Sequence, residues 1–299
     1  MNQIAPGHGK SQIWWLAARP KTLPAAATPV IIAGALALAD GVFHLPSFLV
    51  ALLGGLLIQI GTNYANDLFD FKKSVDTRER LGPLRVTQAG LVTVSEMRTA
   101  TIIVFALAFC VGIYLVMRGG LPIVIIGITS ILCGVLYTAG PYPLGYIGLG
   151  ELFVLIFFGF VPVAGAYYVM SLKINAQVLL AGLAPGLLSI AILVVNNLRD
   201  LNTDRASGKR TLAVRFGKRF AQIEYIVVVA AATLYPLLHY LIFRKHPLTM
   251  LASVTLLLSI PLCKTVLTVD DGKVLNHTLA GTGRLLLLFG LCFSAGLLL

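Results

Sequence analysis

The sequence predicts an all-α membrane protein of nine transmembrane helices, and three observations predict it. The 299 residues are 58% hydrophobic and only 12% charged, about half the charge of an ordinary soluble domain, and the mean hydropathy is +0.89. The apolar residues gather into runs that approach or exceed the roughly 20 residues a helix needs to cross the hydrocarbon core. Lysine and arginine fall between these runs, almost all on one side of the bilayer.

In order, the spans are expected at about 22–39, 46–66, 99–117, 121–139, 147–170, 176–197, 221–243, 247–266 and 279–298. Pro20, Pro24 and Pro29 punctuate the first. Pro24 and Pro29 are expected to break or kink it, because an internal proline removes an N–H and crowds the preceding turn. The first dozen residues are polar, and Arg19 and Lys21 interrupt the early apolar stretch, so no cleavable signal peptide is expected. Spans 2 and 6 each end in a cluster of asparagine and aspartate. They lie four helices apart and point the same way, a pattern consistent with a parallel duplication of four-helix units.

Of the 23 lysines and arginines, only Arg118, Lys173, Arg244 and Lys245 fall on the minority side. Positive residues concentrate in cytoplasmic loops. The expected topology is therefore a multi-pass protein of the cytoplasmic (inner) membrane with its N-terminus inside and its C-terminus outside. The net charge of +11 is explained by these loops and by anionic headgroups, so membrane lipids and no nucleic acid are expected as partners. Cys110, Cys133, Cys263 and Cys292 stand alone in apolar runs, without metal-ligand spacing. The five histidines show no spacing for a metal or a catalytic dyad.

Chemistry concentrates in the two clusters. The first reads Asn63-Tyr64-Ala65-Asn66-Asp67-Leu68-Phe69-Asp70, with Asp76 following. The second reads Asn196-Asn197-Leu198-Arg199-Asp200, with Asp204 following. The chain has 12 acidic residues, and Asp67, Asp70, Asp76, Asp200 and Asp204 take five of these for the clusters. If span 2 stays helical through its end, Asn63, Asp67 and Asp70 share one face at i, i+4 and i+7. Asp200 and Asp204 are one turn apart in the same way. Two such faces turned towards each other would form a four-carboxylate pocket.

Clustered carboxylates repel one another unless a cation holds them, and hard oxygen ligands suit Mg2+. The metal-ligand candidates are Asn63, Asn66, Asp67, Asp70, Asp76, Asn197, Asp200 and Asp204, with Asp67, Asp70, Asp200 and Asp204 as the catalytic group. Asp76 falls on the opposite face of an extended helix and joins only if the chain turns after about Phe71.

Lys72, Lys73, Arg78, Arg80 and Arg85 follow the first cluster; Arg199 lies within the second, and Arg205, Lys209, Arg210 and Arg215 follow it. Such cations repel a bare metal but suit phosphate oxygens, so the combination suggests a metal–diphosphate site at a membrane surface. Ordinary solvated ion pairs would explain one Asp–Lys pair. They explain less well two helically spaced clusters on one membrane side. The linker Tyr137–Tyr146 is turn-rich and uncharged with three tyrosines, and reads as an interfacial aromatic belt or as part of a substrate site. Glu151, near the start of span 5, either snorkels or points into the pocket. Glu224 reads as structural.

At these residues the chain resembles the UbiA-type intramembrane prenyltransferases over nearly its whole length. Asn66-Asp67-x-x-Asp70 and Asp200-x-x-x-Asp204 match the two aspartate-rich motifs of that superfamily. Many members carry a further Asp four residues after Asp70; here that position is Ser74, and the next acid is Asp76. The later Asp resembles the branch that prenylates 1,4-dihydroxy-2-naphthoate. So do Arg19-Pro20-Lys21, Gly82 through Gly90, Tyr146 through Glu151, and Asn196 through Gly217. That branch often has Asp at the position of Glu151, a departure that keeps the carboxylate.

The resemblance implies a single domain over 1–299, with nine helices around a central cavity and cytoplasmic cap loops at about 67–98 and 198–220. It implies Mg2+ as cofactor and a polyprenyl diphosphate as donor. The naphthoate branch implies replacement of the ring carboxylate of 1,4-dihydroxy-2-naphthoate by the prenyl group, with loss of CO2 and diphosphate, towards menaquinone. Lys72, Arg85, Lys209, Arg210 and Tyr137 are the expected diphosphate contacts; Arg19, Lys21 and Glu151 are the expected acceptor contacts. Two alternatives stay open. One is another aromatic acceptor, such as 4-hydroxybenzoate or homogentisate. The other is a secondary transporter, which the absence of acids at the middle of any span disfavours.

Overall fold

A computed structural model describes residues 9–72, 82 and 84–299, and every regular element among them is helical. Helix α1 (Lys10–Ala18) passes through a 3-10 turn (Pro20–Thr22) into α2 (Leu23–Ala39). Then follow α3 (Leu45–Lys72), α4 (Val94–Gly119), α5 (Leu121–Leu136) and α6 (Gly150–Leu155), which continues through a π turn (Ile156–Phe160) into α7 (Val161–Ser171). Helices α8 (Ala176–Ala181) and α9 (Leu183–Arg199) precede two short ones, α10 (Leu201–Ala206) and α11 (Leu212–Phe216). Helices α12 (Lys218–Phe243), α13 (Thr255–Thr268) and α14 (Gly272–Leu298) complete the chain.

Among the described residues, eight helical stretches are long and apolar enough to cross a membrane: Lys10–Ala39, Leu45–Lys72, Val94–Gly119, Gly150–Ser171, Ala176–Arg199, Lys218–Phe243, Pro247–Thr268 and Gly272–Leu298. The remaining expected span is α5, an apolar helix of 16 residues. At 1.5 Å per residue it reaches roughly 24 Å, short of the roughly 30 Å core. A run of turns and bends from Tyr137, containing Pro141, follows it.

The prolines of the first span do not break it. Pro24 lies in the first turn of α2, where its missing N–H would have no intrahelical partner anyway. Pro29 sits inside a helix that continues to Ala39, and the burial of α2 from Ala25 to Ala37 offsets the lost bond. The break falls earlier, at Arg19, whose backbone is left-handed (φ 53°). Helix α4 begins at Val94, five residues before its expected start. A capping box sets that boundary: the Thr93 hydroxyl accepts from the Glu96 N–H at 3.2 Å, and the Glu96 carboxylate accepts from the Thr93 N–H at 2.8 Å.

The main core joins α2, α7, α9, α12 and α14 around residues such as Leu36, Val163, Leu188, Tyr225 and Phe289. A smaller one, with Tyr64, Leu68, Val86 and Met97, packs α1 and α3 against the 86–97 segment. Small residues allow close helix approach. At Gly159 a Cβ would stand 2.5 Å from the Gly182 carbonyl oxygen, so the π turn meets the α8–α9 junction backbone to backbone.

Candidate active site

Helix α3 runs unbroken to Lys72, so Asn63, Asp67 and Asp70 share one buried face as their spacing requires. Asp200 stands at the α9–α10 junction. The Asp204 N–H still bonds the Asp200 carbonyl at 2.8 Å, so the two carboxylates keep their one-turn separation. All four aspartates are buried.

Each carboxylate is held individually. The two oxygens of Asp67 accept the backbone N–H groups of Val86 (3.1 Å) and Thr87 (3.3 Å). Asp70 receives Arg85 at one oxygen (2.5 Å) and the Tyr146 hydroxyl at the other (2.5 Å). Asp200 is gripped by the guanidinium of its neighbour Arg199, at 2.8 and 2.5 Å. Asp204 pairs with Lys209 at 3.1 Å.

Tyr146 brings the two motifs together. Its hydroxyl bonds Asp70, the Lys209 ammonium lies 4.7 Å from the centre of its ring, and its carbonyl accepts the Arg210 N–H at 2.7 Å. Arg215 secures the same linker by donating to the Ile147 carbonyl at 2.7 Å. Tyr137 packs its ring over Gly145 and points its hydroxyl towards Gly150, at the start of α6. The residue as a whole is half-buried. Burial raises this phenol above its usual range, and the charges of Glu151, Asp204 and Asp70 raise it further. Carboxylates from both motifs therefore act on one side chain.

The other expected residues take varied places. Asn63 donates its amide to the Ala18 carbonyl (2.9 Å) and the Thr22 hydroxyl (3.1 Å), tying α3 to the α1–α2 break. Asn66 accepts from Thr138 at 2.9 Å. Asn197 donates to Glu151 at 3.2 Å, and both are buried, which turns Glu151 inwards rather than to the interface. Arg19, at the break, is close enough to Asp67 for their charges to interact. Lys21, Lys72 and Arg210 are exposed; the Lys72 ammonium lies 5.8 Å from the Phe69 ring centre. Asp76, Lys73, Arg78 and Arg80 lie outside the described residues.

Sequence reasoning missed Tyr146 as a link, because a tyrosine in an uncharged linker fits an interfacial belt equally well. It also counted Arg199 among the phosphate-binding cations. The structure instead turns Arg199 onto Asp200, Asn196 and Asn276.

Among the described residues, no three His, Cys, Asp or Glu side chains converge into a cage able to hold a metal alone. The donors are nevertheless all hard oxygens, and carboxylate oxygens keep lone pairs beyond those their partners use. This fits Mg2+, which commonly takes one or two carboxylates and completes its shell with water and substrate phosphates.

The chain has relatives in sequence and in fold. The chain is 34% identical to the 1,4-dihydroxy-2-naphthoate octaprenyltransferase of Haemophilus influenzae, with 97% of each chain covered. It is 39% identical to the Escherichia coli protein of that description, over 80% of this chain and 79% of the relative. A solved UbiA homolog from Archaeoglobus fulgidus, bound to GPP and Mg2+, has the same fold, with a TM-score of 0.64 at 15% identity over 96% of this chain and 100% of that one. The pattern of the UbiA prenyltransferase family matches residues 27–274, and with most of the chain inside that match, this protein belongs to the family.

Proposed function

We propose that this prenyltransferase moves a polyprenyl group from polyprenyl diphosphate to 1,4-dihydroxy-2-naphthoate, releasing diphosphate and CO2 to give a demethylmenaquinone. The observation that carries the reading is the Asp70–Tyr146–Lys209–Asp204 chain of contacts, which links the two carboxylate motifs and supports reading them as one site with its cations. The acceptor is supported by the relatives in Haemophilus influenzae and Escherichia coli, whose descriptions name it.

In this reading Asp67, Asp70, Asp200 and Asp204 hold Mg2+, with Asn66 and Asn197 beside them. Bound Mg2+ supplies Lewis-acid stabilisation of the diphosphate's charge. Arg85 and Lys209 lie against the same carboxylates and add charge-assisted hydrogen bonds to the departing group, with Arg210, Lys72 and Tyr137 at its margin. The allylic C–O bond breaks, its electron pair leaves with diphosphate, and the ring carbon bearing the carboxylate bonds to the prenyl carbon. That carboxylate then leaves as CO2. Surrounding apolar helices keep water from the cationic prenyl group. Glu151, oriented by Asn197, together with Arg19 and Lys21, positions the acceptor.

The proposed setting is nine spans, with α5 as the short one, around a central cavity that opens to lipid for the prenyl tail. The loops that carry Arg85 and Lys209 form the cap on the cytoplasmic side of the inner membrane. Offering 1,4-dihydroxy-2-naphthoate, 4-hydroxybenzoate and homogentisate separately, each with one polyprenyl diphosphate and Mg2+, tests the function. Prenylation of the naphthoate with stoichiometric CO2 is expected. Preference for another acceptor, or no transfer at all, contradicts it.

A further inference from the structure

The geometry points to Asn276, on the last membrane helix, as a positioning residue for Asp200 that acts through Arg199. The inference rests on the reading of Asp200 as a magnesium ligand and adds a residue from a helix that neither motif occupies.

Arg199 connects the two residues, and its side chain is fully buried. A guanidinium carries five N–H donors in a rigid fork. Here Nε and Nη2 grip the two oxygens of Asp200, Nη2 also reaches Asn196 at 2.8 Å, and Nη1 donates to the Asn276 side-chain oxygen at 2.7 Å. The fork thus folds back onto the very next residue. Asn196 lies one turn earlier on the same helix, so Asn276 is the partner that ties the outer edge of the fork to another element. Asp200 itself sits where α9 gives way to α10: its backbone (φ −94°, ψ 9°) departs from helical values while its N–H still bonds the Asn196 carbonyl at 3.1 Å, so α9 holds its backbone and the Arg199 fork holds its carboxylate.

The chemistry of Asn276 matters as well as its place. A neutral amide oxygen holds Nη1 without competing for the charge of Arg199, which stays on Asp200. A carboxylate at 276 would draw the guanidinium towards α14 and leave Asp200 a freer, more strongly cation-attracting ligand. An aliphatic side chain of similar size would leave Nη1 unpaired and let the fork and Asp200 turn together. Opposite effects on magnesium are therefore expected from two substitutions at one position.

The test uses the purified full chain in detergent, as wild type, Asn276→Asp and Asn276→Leu. Melting temperature is followed while Mg2+ is titrated in the presence of inorganic pyrophosphate, and the Mg2+ dependence of prenyl transfer is measured in parallel. Asn276→Leu should raise the half-saturating Mg2+ at least threefold in both assays, by more than it lowers kcat. Asn276→Asp should lower it at least threefold. A merely structural role would lower the ligand-free melting temperature and leave the magnesium midpoint in place. Midpoints that stay at the wild-type value, or move the same way in both variants, overturn the inference. Should Asn276→Leu fail to fold, the direction of the Asn276→Asp shift decides it. No magnesium-dependent stabilisation of the wild type by pyrophosphate would instead overturn the underlying metal reading, and this inference with it.

Discussion

The Tyr146 hydroxyl donates to Asp70 at 2.5 Å while the ring of the same residue supports the ammonium that pairs with Asp204. One uncharged residue from the α5–α6 linker thus joins Asp70 of the first motif to the cation paired with Asp204 of the second. Tyr146→Phe deletes the bond to Asp70 and keeps the surface beneath Lys209. A hydrogen bond to a charged group contributes about 1.5–3 kcal/mol, so kcat/KM should fall about tenfold to a hundredfold. Tyr146→Leu removes both contacts and should fall further. Steady-state kinetics on the two variants checks the order; equal losses would mean that the cation–ring contact contributes nothing.

Asp67 and Asp200 should both be indispensable. Asp67→Ala or Asp200→Ala is expected to abolish transfer while the protein still inserts in the membrane. Excess EDTA should stop the wild type. Because Asp67 also fastens the Val86–Thr87 backbone, Asp67→Asn, which keeps an acceptor oxygen, should fold better than Asp67→Ala and yet remain inactive. Near wild-type turnover by any of these, with Mg2+ present, would remove the metal assignment.

Alkaline pH should reveal the surroundings of Tyr137. Its phenol is raised in the fold, by burial first and then by Glu151, Asp204 and Asp70. The folded protein therefore keeps a proton that the unfolded chain releases above about pH 10. The contribution to stability is complete below that pH and declines as pH rises past it. Wild type should lose melting temperature more steeply than Tyr137→Phe between about pH 9.5 and 11. Parallel curves would show that the phenol is neither buried nor held among carboxylates.

Gly159 should tolerate nothing larger. An added Cβ would meet the Gly182 backbone oxygen at 2.5 Å, and backbone cannot move aside as a side chain can. Gly159→Ala is expected to cost about 1–3 kcal/mol, seen as a lower melting temperature in detergent. An unchanged value would mean that the π turn and the α8–α9 junction are not in close contact.

Helical spacing alone makes the Asp67/Asp70 and Asp200/Asp204 faces legible in the sequence, because the 3.6-residue period fixes which side chains share a face. Apolar run lengths likewise locate most spans. The partners of the aspartates are not legible in that way. Tyr146 meets Asp70 across 76 positions and Asn276 meets Arg199 across 77, and no local pattern encodes such contacts. Arg199 shows the limit well: a basic residue beside an acidic motif is equally suited to phosphate or to the carboxylate next to it, and only the buried fork geometry decides. That Pro29 does not break α2 is hidden for a related reason, since its local cost is outweighed by packing that the local sequence does not display.

The most direct measurement is a structure of the full chain with Mg2+ and an unreactive polyprenyl diphosphate analogue. Metal density touching Asp67 or Asp70 on one side and Asp200 or Asp204 on the other is expected, with diphosphate oxygens against Arg85 and Lys209. Diphosphate bound at only one motif, or away from both, would contradict a shared site.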